Sequence, residues 1–406
     1  MGRSALIMVM GFGTALLMIG SNIARVSNDA MINYTYYYNA SMARTIAGSG
    51  MNLTARSLFE NSAWRAGFAS KQFGDGTFSC SVRDTTYNRV RVTAVGTFQN
   101  MTRTVSCLLQ PSSFSRFGYY SVVEGSIWWI TGDTVWGPMH TQDNLRVAGK
   151  PVFMQRSTSL KPIIYNTGPT VDKPVFKGGY DTGVNISLPS DLNPLKNAAA
   201  SGKKFTGPDS VYIQFESNGK VKWKQGVGSG WNEEFVSTLA PNGVIYADGT
   251  NVHVSGVLSG RVTIGAGGLT GKGKQGNIYI DGGITYAHNP LTGSSSDILG
   301  LVAENSVLIA DNAANAGKSI DLQASVFCRT GGFMAEDYST RGIEGTIKLL
   351  GGIQNNTREP VGTFTGSPPH LTSGYLKNYF YDERLMTDAP PFFPTTGQYE
   401  IVSWFE

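Results

Sequence analysis

From Ser4 to Asn22 the chain reads SALIMVMGFGTALLMIGSN, an apolar run without a single charged residue. About 20 apolar residues cross roughly 30 Å of hydrocarbon. The stretch from Ser4 to Ala24 just supplies them, with Gly11, Gly13, Gly20, Ser21 and Asn22 as its weak points. The pattern then continues: Ile23, Val26, Ala30, Tyr34, Tyr38, Met42 and Ile46 recur every three or four residues, which places them on one helix face. With no proline before Pro111, the spacing predicts one helix over residues 1–72, about 100 Å of it at 1.5 Å per residue, with Gly48, Ser49 and Gly50 as the expected bend. So long a pattern without caps signals a membrane helix, a coiled coil or an assembly. A cleaved signal is the competing reading of the first third: Arg3 supplies the charge, but no A-x-A site follows.

After FGDG at Phe73 to Gly76 the period changes from helical to alternating. TFSCSVRD, RVRVTAVGTF and TRTVSCLLQ read as three strands, with turns at Tyr87-Asn88 and Gln99-Asn100, a small antiparallel sheet over 73–112 that would cover one side of the helix. From about residue 113 to 373 short β-branched strands alternate with Gly, Asn and Asp corners. The clearest examples are GVIYADGTNVHVSGVLSGRVTIGAGG, GNIYIDGGITYA, ILGLVAENSVLIAD and GTIKLLGGIQ. Spacings such as Val252, Val257 and Val262 suit a right-handed β-solenoid whose turns stack their apolar faces, with a β-sandwich as the alternative. Residues 155–235 read as an irregular, exposed insertion carrying the strand-like SVYIQFE and KVKWKQ. Residues 374–406, aromatic and proline-rich, read as a cap for the open strand edges, with the final YEIVSWFE packed back on the body. The fold class is therefore α+β.

Composition supports a turn-rich β body: 50 of the 406 residues are Gly, and only 15% are charged, against about 25% in ordinary soluble domains. The net charge of +4 is spread thinly, so no nucleic-acid partner is expected. Cys80, Cys107 and Cys328 share no metal-type spacing. Cys80 and Cys107 fall on nearby expected strands and form a candidate disulfide in an oxidising compartment.

Candidate chemistry is sparse, and no catalytic residue, cofactor or metal is expected. On a β-helix, Asp248, Asp281, Asp297, Asp311 and the Glu336-Asp337 pair could split acid and base roles on a polysaccharide, but Asp at such corners ordinarily caps turns. Asp133, His140 and Asp143 lie close in sequence without a zinc-type spacing. GKGKQGN at 271–277 lacks the phosphate-loop spacing and reads as a solvated turn. Tyr34, Tyr36, Tyr37 and Tyr38 cannot share one helix face, so some meet neighbours, either other subunits or the sheet. Asn33, Asn39, Asn52, Asn100, Asn185 and Asn355 stand in N-x-S/T sequons and are candidate glycosylation positions.

The segment from Gly2 to Phe59, GRSALIMVMGFGTALLMIGSNIARVSNDAMINYTYYYNASMARTIAGSGMNLTARSLF, resembles the N-terminal region of type IV pilin-like proteins. The likeness covers about the first 110 residues, and the stretch GSIWWITGDTVWGPMHTQDNLRVAGKPVF resembles the start of the solenoid-like domain of large members of the group. It implies a helix held first in the inner membrane and then packed with copies of itself in a filament core, through Leu6, Ile7, Val9, Met10, Phe12, Leu16, Leu17, Ile19, Ile23, Val26, Tyr34 and Tyr38. The implied product is an extracellular pilus-like structural subunit, served by the pilus assembly machinery, with its β-rich domain exposed for adhesion or contact with surface glycans. The alternatives are a minor tip or priming subunit and a membrane-anchored polysaccharide enzyme. One departure is that type IV pilins usually carry Glu at the fifth mature position, where this chain, counted from Met1, has Ala5; no Gly-ending basic leader precedes Met1.

Overall fold

A computed structural model describes residues 2–85, 89–268, 275–365 and 370–406. The expected turn at Tyr87-Asn88 and residues 271–274 of the GKGKQGN stretch lie outside the described residues. The chain divides into two compact units, one of residues 1–111 with 398–406, the other of residues 112–397.

The first unit is one long helix against one sheet. Helix α1 spans Gly2–Glu60, 59 residues without a break at Gly48 or Gly50, so its length is about 90 Å. It ends earlier than the expected residue 72, because the Asn61 side chain accepts from the backbone N–H of Ala63 at 3.0 Å and closes a turn that competes with the helix. Gly67, at φ 68°, then turns the chain into strand β1, Phe68–Phe73. Strands β2 (Gly76–Asp84), β3 (Val90–Phe98) and β4 (Met101–Ser113) follow as an antiparallel meander, with the expected turn at Gln99-Asn100. Alternation does the work here: in β3, Val90, Val92, Ala94, Gly96 and Phe98 are buried while the residues between them are not. The fifth strand, beside β4, is Thr395–Phe405 from the far end of the chain. YEIVSWFE thus completes the N-terminal sheet and does not cap the body.

Only the last third of α1 meets this sheet. Ala43, Ile46, Ala47, Gly50, Met51, Thr54 and Leu58 are its buried positions, spaced by three and four. Small residues set the distance. A Cβ on Gly96 would strike the carbonyl oxygen of Ala43 and the backbone nitrogen of Ala47, and one on Gly50 would meet the Phe78 ring at 2.6 Å.

The second unit is mainly β, and its strands pair in parallel far more than the first unit's. One ladder runs through Lys203–Thr206, Val244–Asp248, Arg261–Gly267, Ile298–Ala303, Ile320–Cys328 and Ile343–Thr357. It continues through Tyr119–Val123, Met139–Thr141, Ser157–Ser159 and Tyr180–Thr182. The order is not that of the chain, since Ile353 pairs with Tyr119. A second parallel ladder joins Val211–Phe215, Val252–Leu258 and Ile278–Tyr286. Between them lies a core of Val262, Ile264, Ile280, Leu301, Leu322 and Ile347, each fully buried. Each buried aliphatic of this size contributes about 1.5–3 kcal/mol.

Two expectations change here. Residues 155–235 contribute several short strands to the parallel ladders, along with an antiparallel excursion of Val211–Phe215, Lys220–Gln225 and Asn232–Phe235. Strands of two or three residues are too short to show a period in sequence. Part of the expected cap also belongs to the body, because the strand His370–Phe380 pairs in parallel with Ile343–Thr357. The body's two ends meet: the Phe114 N–H donates to the Pro394 carbonyl at 2.9 Å.

Candidate functional site: the exposed apolar half of the N-terminal helix

Residues 2–37 of α1 are exposed, Gly13 alone being of intermediate exposure. Leu6, Ile7, Val9, Met10, Phe12, Leu16, Leu17, Ile19, Ile23 and Val26 are all more than half exposed. These side chains point in every direction around the helix, since neighbours differ by about 100°. A helix that is apolar all round belongs in lipid or in the middle of other protein, and this segment passes the length and composition test for a membrane span.

Three of its hydroxyls bond within the helix, while its charged residues, Arg3, Arg25 and Asp29, stand outside the apolar run of Ser4 to Ala24. The Thr14 hydroxyl donates to the Met10 carbonyl at 3.0 Å, Ser21 to Met18 at 3.0 Å and Thr35 to Met31 at 2.9 Å. Hydroxyls satisfied by their own helix need no water. Around Gly11, Gly13 and Gly20 the space is open, so a neighbouring helix can approach closely there. The tyrosines divide: Tyr34, Tyr36 and Tyr37 stand exposed, while the Tyr38 ring meets Phe98 edge-on at 6.1 Å. Of the expected assembly positions, Tyr38 is therefore shared with the sheet.

The cysteines are free and buried. Cys80 on β2 pairs with Ala94 on β3, and Cys107 on β4 pairs with Val92. A whole strand separates them, about 9.5 Å, beyond the roughly 7 Å limit of a disulfide. The candidate disulfide is thus not formed. Burial pushes both thiols up, so neither is primed as a thiolate.

Among the sequons, Asn33, Asn52, Asn100 and Asn185 are exposed and Asn39 is half-buried. Asn355 is buried, and its side-chain oxygen accepts from the Phe333 N–H at 3.0 Å. That position cannot carry a sugar without unfolding the ladder around it.

The acidic residues weighed for catalysis are engaged individually. Burial pulls the Asp248 carboxyl up, but Lys196 at 2.9 Å and Lys204 at 3.1 Å more than offset it. Asp281 meets His253 Nδ1 at 3.0 Å; Asp297 accepts from the N–H groups of Gly260 and His288 at 2.7 and 2.9 Å. Glu336 accepts from the Asp311 N–H at 2.9 Å, and Asp337 sits at φ 50° in a turn. Asp133 closes a turn on the Ile130 N–H at 2.8 Å, Asp143 pairs with Lys161 at 2.8 Å, and buried His140 bonds Thr158 at 2.7 Å. No cluster able to hold a metal occurs among the described residues.

No family model matches the chain, and no curated protein does. Among solved structures, the crystal structure of the competence-associated pilin ComZ from Thermus thermophilus aligns over 90% of this chain and 97% of that chain, with a TM-score of 0.33 and 10% identity.

Proposed function

We propose that this chain is a pilin-like structural subunit that polymerises through the exposed half of α1, with the β-rich body on the outside of a surface filament. The observation that carries the reading is the all-round apolar helix. About two-thirds of α1 has no partner within the chain, and packing against copies of itself removes Leu6, Leu16, Leu17 and Ile19 from water from every side at once. Before assembly the same segment is held in the inner membrane, and the pilus assembly machinery moves it into the filament. The parallel ladders and their common core support a β-solenoid body, which presents surface for contact with other cells or glycans.

The test is electron microscopy of material sheared from the cell surface, with mass spectrometry of its main band. Filaments made chiefly of this chain support the reading. A chain found solely as a membrane-bound monomer overturns it.

A further inference from the structure

Within the body lies a cavity of about 150 Å³, lined by Trp129, Asp133, Phe333, Arg358, Glu359, Lys377 and Tyr379 among others. At about 30 Å³ per water it has room for about five waters, the space of one six-membered ring. Elements distant in sequence build it. Lys377 and Tyr379, two apart on the strand His370–Phe380, face the same side, and Arg358 and Glu359 follow directly on Ile343–Thr357.

The charges are matched in a telling way. Arg358 is already spent: its guanidinium lies 4.0 Å over the Trp129 ring and donates to Glu124 at 3.0 Å. Glu124 is fully buried and also accepts from the Tyr119 hydroxyl at 3.0 Å. An anion would therefore have to compete with a buried carboxylate for that cation. What remains open is one donor and its complement. Lys377 has no hydrogen-bond or ion partner among the described residues, and Glu359 has no cation. Asp133 commits one oxygen to Ile130 and keeps the other. Lys377 lines the cavity and is exposed on its strand, so its ammonium is open to a guest entering from solvent; burial pushes Glu359 up. Two lining residues, Trp129 and Tyr379, carry a buried Nε1–H and a buried hydroxyl without hydrogen-bond partners among the described residues. The walls beside these groups are apolar: Phe333, Ile353, Val361 and the Tyr379 ring.

Open donors and acceptors beside an apolar wall, with the strong cation neutralised, suit a guest that carries both kinds of hydrogen-bonding group and no net charge. From this juxtaposition we infer that the cavity binds a single neutral sugar ring, its hydroxyls bridging Lys377 and Glu359 and its C–H face lying on the apolar wall. The site lies within residues 112–397 and does not depend on whether α1 polymerises.

The test is calorimetric titration of the full chain, held in a detergent without a sugar headgroup, with glucose, galactose and N-acetylglucosamine, each as the free sugar and as its methyl glycoside. Acetate and phosphate serve as anionic probes. At least one sugar should saturate with a Kd in the millimolar range, and Lys377→Met and Glu359→Gln should each weaken it roughly tenfold or more, the loss of one charged hydrogen bond. Binding of methyl glycosides as well as free sugars identifies the guest as the end of a glycan; binding of free sugars alone identifies it as a free monosaccharide. The inference is overturned by absence of saturation up to about 50 mM, where binding would be too weak to matter. Binding that both variants leave unchanged, or tighter binding of acetate or phosphate, overturns it equally.

Discussion

Single residues set two properties of this protein that a substitution can expose. Gly96 is where the sheet touches the helix backbone, so Gly96→Ala forces α1 away from β3. Overpacking of this kind costs about 1–3 kcal/mol, and a thermal melt should show it as a lower transition for the unit of 1–111 and 398–406. His140 acts through pH. It is fully buried, stacks on Tyr120 at 5.4 Å, and burial pushes its pKa down to about 4 although Gln142 works against this. Between the unfolded value of about 6.5 and the folded value, the unfolded chain binds a proton that the folded chain refuses. Stability therefore falls as pH drops through that window, by up to about 3 kcal/mol from this group, and levels off below pH 4. Guanidinium midpoints at pH 7 and 4.5 should differ less in His140→Gln than in the parent chain; equal differences would remove His140 as the cause.

At the scale of elements, α1 behaves as two helices joined end to end. From Ala43 to Leu58 it is a component of a small α+β unit, and before Tyr38 it is an exposed rod whose first third, Ser4 to Ala24, is apolar. Leu16→Asp tests the division directly, since Leu16 is 67% exposed and touches no sheet residue. The substitution should leave the melting transitions of the folded units unchanged while a carboxylate at the centre of the apolar segment, costing about 2.5–3.5 kcal/mol in lipid, keeps the chain out of filaments or membrane. Sheared fractions and the melting curve read the two effects separately. This division was partly legible in sequence: the apolar run and the alternation of β2, β3 and β4 marked the helix and the meander. Its end at Glu60 was not, because Asn61 and Gly67 stop the helix through a side-chain turn and a left-handed backbone rather than through a proline. Alternation in YEIVSWFE signalled a strand, but a strand's own pattern does not name its partner. Nor could the cavity be read, since Trp129, Glu359 and Lys377 are brought together only by ladders that pair Tyr119 with Ile353 and Lys377 with Ile347.

Across the whole molecule, the two ends of the chain serve one unit and the middle serves the other. The N-terminal unit needs residues 398–406: Tyr399 donates to the Ser62 carbonyl at 3.1 Å, Gln110 reaches Glu400 at 2.9 Å, and Arg44 pairs with Glu406. The body has a core of its own, because its ends meet at Phe114 and Pro394 and its buried residues come from 112–397. A fragment of 112–397 should therefore fold cooperatively, stay monomeric in plain buffer and keep its near-ultraviolet signal, whereas the full chain needs detergent or its own copies to cover residues 2–38. Sedimentation and circular dichroism decide the matter. An aggregated or unstructured fragment would mean that the body depends on the helix-bearing unit for its fold. A well-behaved one would place self-association in the exposed part of α1 and leave the body's surface free for other partners.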